Sequence, residues 1–372
     1  MQSDPKSAAG GRAETVMTVL GPLEPAALGY TQTHEHLLAD LSGVLGSSQM
    51  TSGVYAAGSG PAALDVEFPA TVRRRMHEPI RPDNYDWIRR HVTNVDNLRL
   101  WDEDEAIEEL GHYRLAGGVS LVESTSIGLG RDAEGLRRVS RASGIKVIMG
   151  CGFYCQPVGL DQVPREAIRD LILKDLREGV RDTGVRAGII GEIGLSDPIH
   201  PTEAKVLEAA CEAQMSSGAA LQVHPGRSPE SLFDGVDRIL ATGVDPARLV
   251  MCHLDRTLTS PGELERLART GCYLEFDLFG QESSYYPWSD IDRPNDGTRI
   301  DWLGELGEKG FGDRLVIAQD ICMRAYFRKY GGPGYSHILE NVLPLMRKKG
   351  WDAADIRRVT VDNPAALLKN TW

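Results

Sequence analysis

Two histidines near the start of the chain are separated by one residue in the segment GYTQTHEHLLADL, residues 29–41. Side chains at positions i and i+2 of a β-strand point to the same face, so His34 and His36 can both reach one ion. Neutral imidazole is the commonest metal ligand among protein side chains. The pair therefore predicts half of a metal site, and the other ligands must come from elsewhere in the chain.

Four further residues with metal-binding side chains follow apolar segments farther along the chain. They are Glu192 in GIIGE, His224 in LQVH, His253 in LVMCH and Asp320 in LVIAQD. Imidazole and carboxylate together suit zinc, manganese, iron or cobalt better than magnesium or calcium. Six ligands exceed what one tetrahedral ion needs, whereas two ions that share a carboxylate bridge would use them all.

These residues belong to a regular alternation of apolar runs and amphipathic stretches. Seven apolar runs follow the histidine segment, at 119–125, 146–153, 187–194, 219–226, 248–255, 272–279 and 314–321. Near-continuous apolar runs are typical of parallel strands that are buried on both faces. The stretches between them, such as 102–118 and 201–218, begin with acidic residues or proline and end in glycine, which is typical of helices.

Eight strand–helix units predict a (β/α)8 TIM barrel over residues 15–372, preceded by a disordered tail at 1–14. A doubly wound open sheet is the alternative, and it fits less well because no glycine-rich phosphate turn follows any strand. In a barrel the carboxyl ends of all strands meet at one mouth, which brings the six ligands together. Residues 42–100 are predicted to be an insertion near this mouth, ordered over 68–100 and mobile over 46–63.

The amino-acid composition indicates which kinds of partner the protein can bind. The net charge of −12 argues against nucleic acid or an anionic membrane, because both require a basic protein face. No apolar run reaches the length of a membrane span, and the first residues lack the apolar core of a secretory signal. Six scattered cysteines in apolar contexts fit reduced thiols. We expect a cytoplasmic protein that acts on a small molecule, with Trp87 and Trp288 as candidates for a homodimer contact.

Three polar residues after the strands are candidates for contacts with a substrate. Arg227 in HPGRS and Arg256 in HLDRT follow ligands on adjacent strands, where two guanidinium groups suit a carboxylate, sulfonate or phosphate. The structural alternative for Arg256 is an ion pair with Asp255 or Glu275. Tyr154 in GCGFYC follows the third strand and can line the pocket.

Two acids, Asp255 and Glu123, are candidates for orienting the ligand imidazoles. Each can equally be an acid at a strand end or a helix cap. The remaining histidines are interpreted as surface or capping residues, at positions 77, 91, 112, 200 and 337.

The motifs together resemble the amidohydrolase superfamily and, within it, the phosphotriesterase family. The resemblance runs from about residue 15 to the C-terminus and is carried by THEH, ESTSIGLGRD, HPGRS, HLDRT and GGPGYSHIL. RMHEPIRPDNYDWIRR, GIIGEIG, CYLEFDLFG and KYGGPGYSHIL resemble the branch of phosphotriesterase-related proteins, which includes an N-acetyltaurine amidohydrolase.

The resemblance implies a role for each ligand. His34, His36 and Asp320 would bind the more buried metal, and His224 and His253 the more exposed one. Glu192 takes the place of the carbamylated lysine that bridges the metals in phosphotriesterases, and its carboxylate needs no carbon dioxide to become a ligand. The proton-shuttle histidine expected near Asp277 in phosphotriesterases is absent. Both departures shift the expected chemistry from phosphotriesters to amides or lactones.

The expected function is hydrolysis of the carboxylic amide of a small, anionic N-acyl compound. Two divalent transition-metal ions are expected, zinc first, with manganese, cobalt and iron as alternatives. A hydroxide between the metals would attack the carbonyl carbon, and Asp320 would pass its proton to the leaving group. A lactonase or carboxylic ester hydrolase with the same metal site is the alternative among enzymes, and a non-catalytic metal-binding scaffold is the alternative outside them. A serine hydrolase is disfavoured because the G-x-S-x-G elbow is absent from the sequence.

Overall fold

The structure, a computed structural model, describes residues 13–43, 69–91, 93–282 and 291–371. The predicted tail, except for its last two residues, and the predicted mobile stretch at 46–63 lie outside these ranges, as does Trp288. The strands are β1 Val16–Thr18, β2 Gly21–Leu23, β3 Thr31–Glu35, β4 Ala39–Asp40, β5 Arg99–Leu100, β6 Ser120–Glu123, β7 Lys146–Cys151, β8 Ile189–Gly194, β9 Leu221–His224, β10 Leu249–Met251, β11 Tyr273–Phe276 and β12 Leu315–Ile317.

The α-helices lie between and after these strands. They are α1 Ala70–Arg75, α2 Tyr85–Arg90, α3 Glu103–Leu115, α4 Ala133–Ser143, α5 Arg165–Arg177, α6 Pro201–Ser217, α7 Pro229–Ala241, α8 Pro261–Ala268, α9 Asp296–Leu306, α10 Leu343–Lys348, α11 Ala353–Arg357 and α12 Asn363–Leu368. Among the described residues, no helix combines the length and the apolar character needed to cross a membrane.

Eight strands form one parallel sheet in the order β3-β6-β7-β8-β9-β10-β11-β12. Each neighbours the next sheet strand along the chain, as in a (β/α)8 barrel, whereas the strand order of a doubly wound sheet reverses. The sheet is nearly closed. After β12, the Asp320 N–H donates to the carbonyl oxygen of His34 in β3 at 3.1 Å, and the Gln319 N–H donates to the Glu35 carboxylate at 2.8 Å. The predicted TIM barrel is confirmed.

Local sequence determines where the outer helices begin and end. Asp102 caps α3 by accepting hydrogen bonds from two backbone N–H groups of the first turn. His200 and Glu203 form a reciprocal capping box at the start of α6. Helices α4 and α6 end at Gly144 and Gly218, whose φ angles of 75° and 72° are left-handed and suit glycine. The predicted helices at 102–118 and 201–218 therefore correspond to α3 and α6.

The barrel strands end earlier than the apolar runs predict. Strand β10 ends at Met251 and β12 at Ile317, so His253 and Asp320 lie in the loops that follow. Both have left-handed backbones, with φ of 55° and 47°, which residues other than glycine rarely adopt. Backbone strain of this kind concentrates at functional sites. The apolar runs are longer than the strands because Cys252 and Ala318, beyond the strand ends, are also completely buried.

The described part of the insertion packs against the loop that follows β12. The Ala325 N–H donates to the Asn97 side-chain oxygen at 2.8 Å, and the Arg324 N–H donates to the Asn97 carbonyl oxygen at 3.0 Å. The Tyr85 hydroxyl donates to the Ala325 carbonyl oxygen at 3.0 Å. Strand β5 also pairs with β4, directly after the first barrel strand. These contacts hold the insertion at the carboxyl end of the barrel.

One buried carboxylate, Glu105 of α3, joins the helix to the same loop. Arg324 Nε donates to it at 2.9 Å and the Tyr330 hydroxyl at 2.7 Å, and Lys329 Nζ lies 2.9 Å away. Arg324 also pairs with Asp96 of the insertion at 2.5 Å. Burial raises the pKa of Glu105, but the hydrogen bonds from its three partners outweigh burial and lower the pKa to about 2. The ionised carboxylate therefore stabilises the contact between helix, loop and insertion.

We expect Glu105→Gln to lower the free energy of unfolding near neutral pH by about 2 kcal/mol, because it removes a charged acceptor from buried donors. The pKa of Glu105 is lower in the folded than in the unfolded chain. Its contribution is therefore complete above about pH 5 and is lost as the pH falls toward the folded pKa of about 2.

Urea unfolding of wild type and variant at about pH 7 and about pH 3 measures this dependence, and the difference between them should shrink at the lower pH. The control is Glu108→Gln on the exposed side of the same helix, which should change stability by less than about 0.5 kcal/mol. An equal difference for Glu105→Gln at both pH values would contradict the assignment.

Candidate metal centre

The structure brings all six predicted ligands together at the carboxyl end of the barrel. His34 lies in β3 with His36 directly after it, Glu192 lies in β8, His224 ends β9, and His253 and Asp320 come from the loops after β10 and β12. The side chains are almost completely buried, except that of Asp320, which is 16% exposed. Asp320 is therefore the ligand most open to the mouth.

His34, His36 and Asp320 form one group whose possible ligand atoms all lie within 4.8 Å of one another. Nε2 of His34 and Nε2 of His36 lie 3.8 and 3.3 Å from Oδ1 of Asp320. The Glu192 carboxylate faces the same two nitrogens, each at 3.7 Å. The i, i+2 spacing thus turns both imidazoles toward the same two acids, as the sequence predicts.

His224 and His253 approach Glu192 from the other side. Nδ1 of His224 lies 3.0 Å and Nε2 of His253 lies 3.5 Å from the same Glu192 oxygen. The Glu192 carboxylate therefore lies between two pairs of imidazoles, which is the position of a bridging ligand. Burial raises the pKa of Glu192, but the neighbouring imidazoles, His34 first and then His224, outweigh burial and hold the pKa well below its usual range.

A glycine lets the strand that carries Glu192 approach its neighbour. Gly191 has a φ of 138°, and a Cβ at this position would lie 2.5 Å from the carbonyl oxygen of Gln222 in β9. Any larger residue at 191 would push the two strands apart. Gly191 is therefore one reason why the Glu192 carboxylate lies between His224 and His34.

The Asp277 carboxylate orients two of the ligand imidazoles from outside the centre. Its Oδ2 lies 3.2 Å from Nδ1 of His34, and its Oδ1 lies 2.9 Å from Nδ1 of His253. It also accepts the His253 backbone N–H at 3.1 Å, and Glu275 adds a second acceptor 3.3 Å from Nδ1 of His34. Protons on both Nδ1 atoms leave the Nε2 lone pairs directed at the centre.

His36 is oriented through a hydroxyl. Its Nδ1 lies 2.9 Å from Thr125 Oγ1, and that hydroxyl donates to the Glu123 carboxylate at 2.5 Å. Because the single proton of the Thr125 hydroxyl is used in the bond to Glu123, the contact with His36 requires a proton on Nδ1 of the imidazole. The lone pair of Nε2 is then directed at the centre. Glu123 thus has an orienting role, as predicted, although it acts through Thr125.

The donor set fits a pair of divalent transition-metal ions. Nε2 of His34 is buried and has no hydrogen-bond partner among the described residues, a costly arrangement unless a cation accepts its lone pair. Burial holds the pKa of His224 well below its usual range, which keeps the imidazole in its neutral, ligating form. Imidazole nitrogens with carboxylate oxygens are the donors that zinc and its neighbours in the first transition row prefer.

Two of the three predicted substrate contacts, Arg256 and Tyr154, lie beside His224. Nη2 of Arg256 lies 3.1 Å and the Tyr154 hydroxyl 3.5 Å from its Nε2. Burial raises the pKa of Tyr154, whereas the nearby charges of half-buried Arg227 and of Arg256 lower it. A metal on Nδ1 of His224 would leave the proton on Nε2, where the Tyr154 oxygen can accept it. Arg256 can donate to Nε2 only when that nitrogen is unprotonated.

Asp255 does not have the role that the sequence predicts for it. Its carboxylate pairs with the completely buried Arg299 at 2.6 Å and accepts the Leu278 N–H at 3.0 Å. Asp255 therefore holds the loop after β11, and the orienting role belongs to Asp277. Sequence reasoning missed Asp277, although an acid inside the apolar run CYLEFDLF is an identifiable signal.

The other histidines mostly have structural contacts. His200 caps α6, His91 stacks on Trp87 with ring centroids 4.4 Å apart, and His337 Nε2 lies 2.7 Å from the Asp296 carboxylate. Trp87 thus packs within the insertion and is half-buried.

Comparison with known proteins now adds to this geometry. The model of the phosphotriesterase family matches residues 14–368. The chain belongs to the phosphotriesterase family. N-acetyltaurine hydrolases from Salmo salar and Homo sapiens are each 38% identical to it over 359 residues, which is 95% of this chain and 97% of each relative. A Resiniferatoxin-binding protein from Rhodobacter sphaeroides has a TM-score of 0.86 at 30% identity, covering 96% of this chain and 95% of that chain.

Family membership confirms the resemblance read from the motifs. The phosphotriesterase family is a family of binuclear metal enzymes, and the cluster around Glu192 provides the donors for such a centre in this chain.

We expect Asp277→Asn to weaken metal binding about 10- to 100-fold, because an amide cannot accept from both imidazoles with a full carboxylate charge. Competition with a chromogenic chelator on protein loaded with zinc or cobalt measures the affinity. Asp234→Asn is the matched control, since Asp234 pairs with Arg238 on the exposed surface of α7. Equal affinities for wild type and Asp277→Asn would show that Asp277 does not orient the ligands.

Proposed function

We propose that this protein is a metal-dependent hydrolase that cleaves the amide of a small, anionic N-acyl compound, with N-acetyltaurine as the representative substrate. The observation that carries the proposal is the Glu192 carboxylate between four imidazoles, one of which has a buried nitrogen without a hydrogen-bond partner among the described residues. The names of the relatives at 38% identity support the amide and the anionic group.

The proposed ligands divide into two sets joined by Glu192. His34, His36 and Asp320 hold one ion, and His224 and His253 hold the other, with zinc as the proposed metal. When bound, two such ions supply Lewis acidity toward the carbonyl oxygen and lower the pKa of a water molecule.

Asp320 is the proposed catalytic residue. It is the ligand with the most exposed side chain, and it lies beside the imidazole pair of His34 and His36. Its carboxylate accepts a proton from the attacking water and returns it to the leaving nitrogen. An amine is a poor leaving group without that proton, so an amide depends on this transfer more than a lactone does.

Arg256, Tyr154 and Arg227 are the proposed substrate contacts. The buried Arg256 guanidinium and the Tyr154 hydroxyl both lie next to His224. Hydrogen-bond donors beside His224 would stabilise the negative charge that develops on the carbonyl oxygen of the substrate during the reaction. Arg227 is half-buried and its charge reaches Tyr154, so it lies on the same side of the pocket.

The substrate class is tested with zinc-loaded protein and a matched panel. The panel contains N-acetyltaurine, N-acetyl-β-alanine, N-ethylacetamide, a δ-lactone, phenyl acetate and a phosphotriester. We expect the two anionic amides to give the highest kcat/KM. A lactone that exceeds both amides would favour the lactonase alternative, and turnover of the phosphotriester alone would refute the proposal.

For the proposed proton transfer, Asp320→Asn should lower kcat for the amide by about 100- to 10,000-fold. The loss for phenyl acetate should be smaller, because phenolate leaves without protonation. Metal analysis of the variant separates this effect from loss of the ion. An Asp320→Asn protein that retains zinc and full amide activity would rule out the role.

A further inference from the structure

Arg293 places a third cation beside the centre, on the side of Asp320. It lies in the segment just before α9, and its Nη1 donates to the side-chain oxygen of Gln281 at 2.7 Å. The nitrogen of the same Gln281 amide donates to the backbone carbonyl oxygen of Asp320 at 3.0 Å. One buried glutamine amide therefore links the guanidinium to the backbone of the proposed proton carrier.

Two side chains from the loop after β12 support this placement. The Tyr326 hydroxyl is hydrogen-bonded to Arg293. Cys322 and Tyr326 both pack against the buried side chains of Leu98 and Met323. Arg293, Tyr326 and Cys322 thus belong to one wall of the pocket, whereas Arg256 and Tyr154 belong to the wall beside His224.

The need for proton transfer determines which part of the substrate lies against the wall of Asp320 and which part lies against the wall of His224. The group that protonates the leaving nitrogen must lie within hydrogen-bond reach of it. The leaving amine therefore lies on the side of Asp320 and the acyl group on the side of His224. A two-carbon chain carries its anionic group about 4 Å beyond that nitrogen. A guanidinium on the same wall is the matching partner for a carboxylate or sulfonate.

We propose that Arg293 binds the anionic group of the leaving amine and sets the preference for amides whose amine carries an anion. This inference rests on the proposed amidase function. It assigns different tasks to the cations of the pocket: Arg293 recognises the amine half of the substrate, and Arg256 acts at the acyl half.

The test compares N-acetyltaurine with N-ethylacetamide, which has the same acyl group and a two-carbon amine without the anion. In Arg293→Gln, KM for N-acetyltaurine should rise about 10- to 100-fold through loss of a charge-assisted hydrogen bond. The kcat/KM for N-ethylacetamide should stay within about twofold, and Arg293→Lys should restore part of the lost affinity. In Arg256→Gln, both substrates should lose activity equally.

Arg238→Gln on the exposed face of α7 is the control for charge and should behave as wild type. If Arg293 only supported Gln281 and Asp320, Arg293→Gln would lower kcat for both amides alike. That result, or loss of anion preference in Arg256→Gln with its retention in Arg293→Gln, would overturn the inference.

Product binding keeps this test separate from the amidase proposal. Taurine should bind zinc-loaded wild type in calorimetry, bind Arg293→Gln about 10- to 100-fold more weakly, and bind Arg238→Gln normally. If wild type hydrolyses neither amide, the amidase proposal fails, while the calorimetry still reports on Arg293. Equal affinity of wild type and Arg293→Gln for taurine would refute the anion site.

Discussion

The arrangement of the centre depends on one buried carboxylate, Asp277, shared by two imidazoles from different parts of the barrel. Its two oxygens lie 3.2 and 2.9 Å from Nδ1 of His34 and Nδ1 of His253. His34 comes from the first barrel strand and His253 from a loop on the far side of Glu192, so Asp277 couples the two halves of the ligand set. Burial raises the pKa of Asp277, but His253 and His34 outweigh it and keep the carboxylate ionised.

So many acids at the core of a barrel are stable only if each has a partner. Glu192 has imidazoles on both sides, Asp255 has the buried Arg299, and Glu35 accepts two backbone N–H groups at 2.8 and 3.0 Å. Unpaired charges in this environment would cost several kcal/mol each. Nε2 of His34 has no hydrogen-bond partner among the described residues, and a cation at the centre would accept its lone pair.

The barrel and the convergence of the six candidate ligands could be predicted from the sequence because both depend on periodic or local signals. Alternating apolar runs predict the strands, and His34 and His36 share a strand face through their spacing alone. The partners around the ligands could not be predicted in the same way. Asp255 and Asp277 are both acids that follow or end apolar runs. Only the three-dimensional path of the loops determines that Asp255 pairs with Arg299, whereas Asp277 contacts the imidazoles. Arg293 is 27 residues from Asp320, to whose backbone it is linked through Gln281, and no sequence pattern joins the two positions.

The candidate metal ligands and the proposed substrate contacts depend on different parts of the barrel. The ligands sit on or next to strands whose positions are set by the closed sheet and by close contacts such as that of Gly191 with Gln222. The cations proposed to contact the substrate lie on three different loops, Arg227 and Arg256 after β9 and β10, and Arg293 before α9. Under that proposal, exchanging a loop cation would change which half of the substrate is recognised without moving a candidate metal ligand. Under the proposed function, the acids of the centre would attract cations, and the arginines around it would attract an anionic substrate that those acids would otherwise repel.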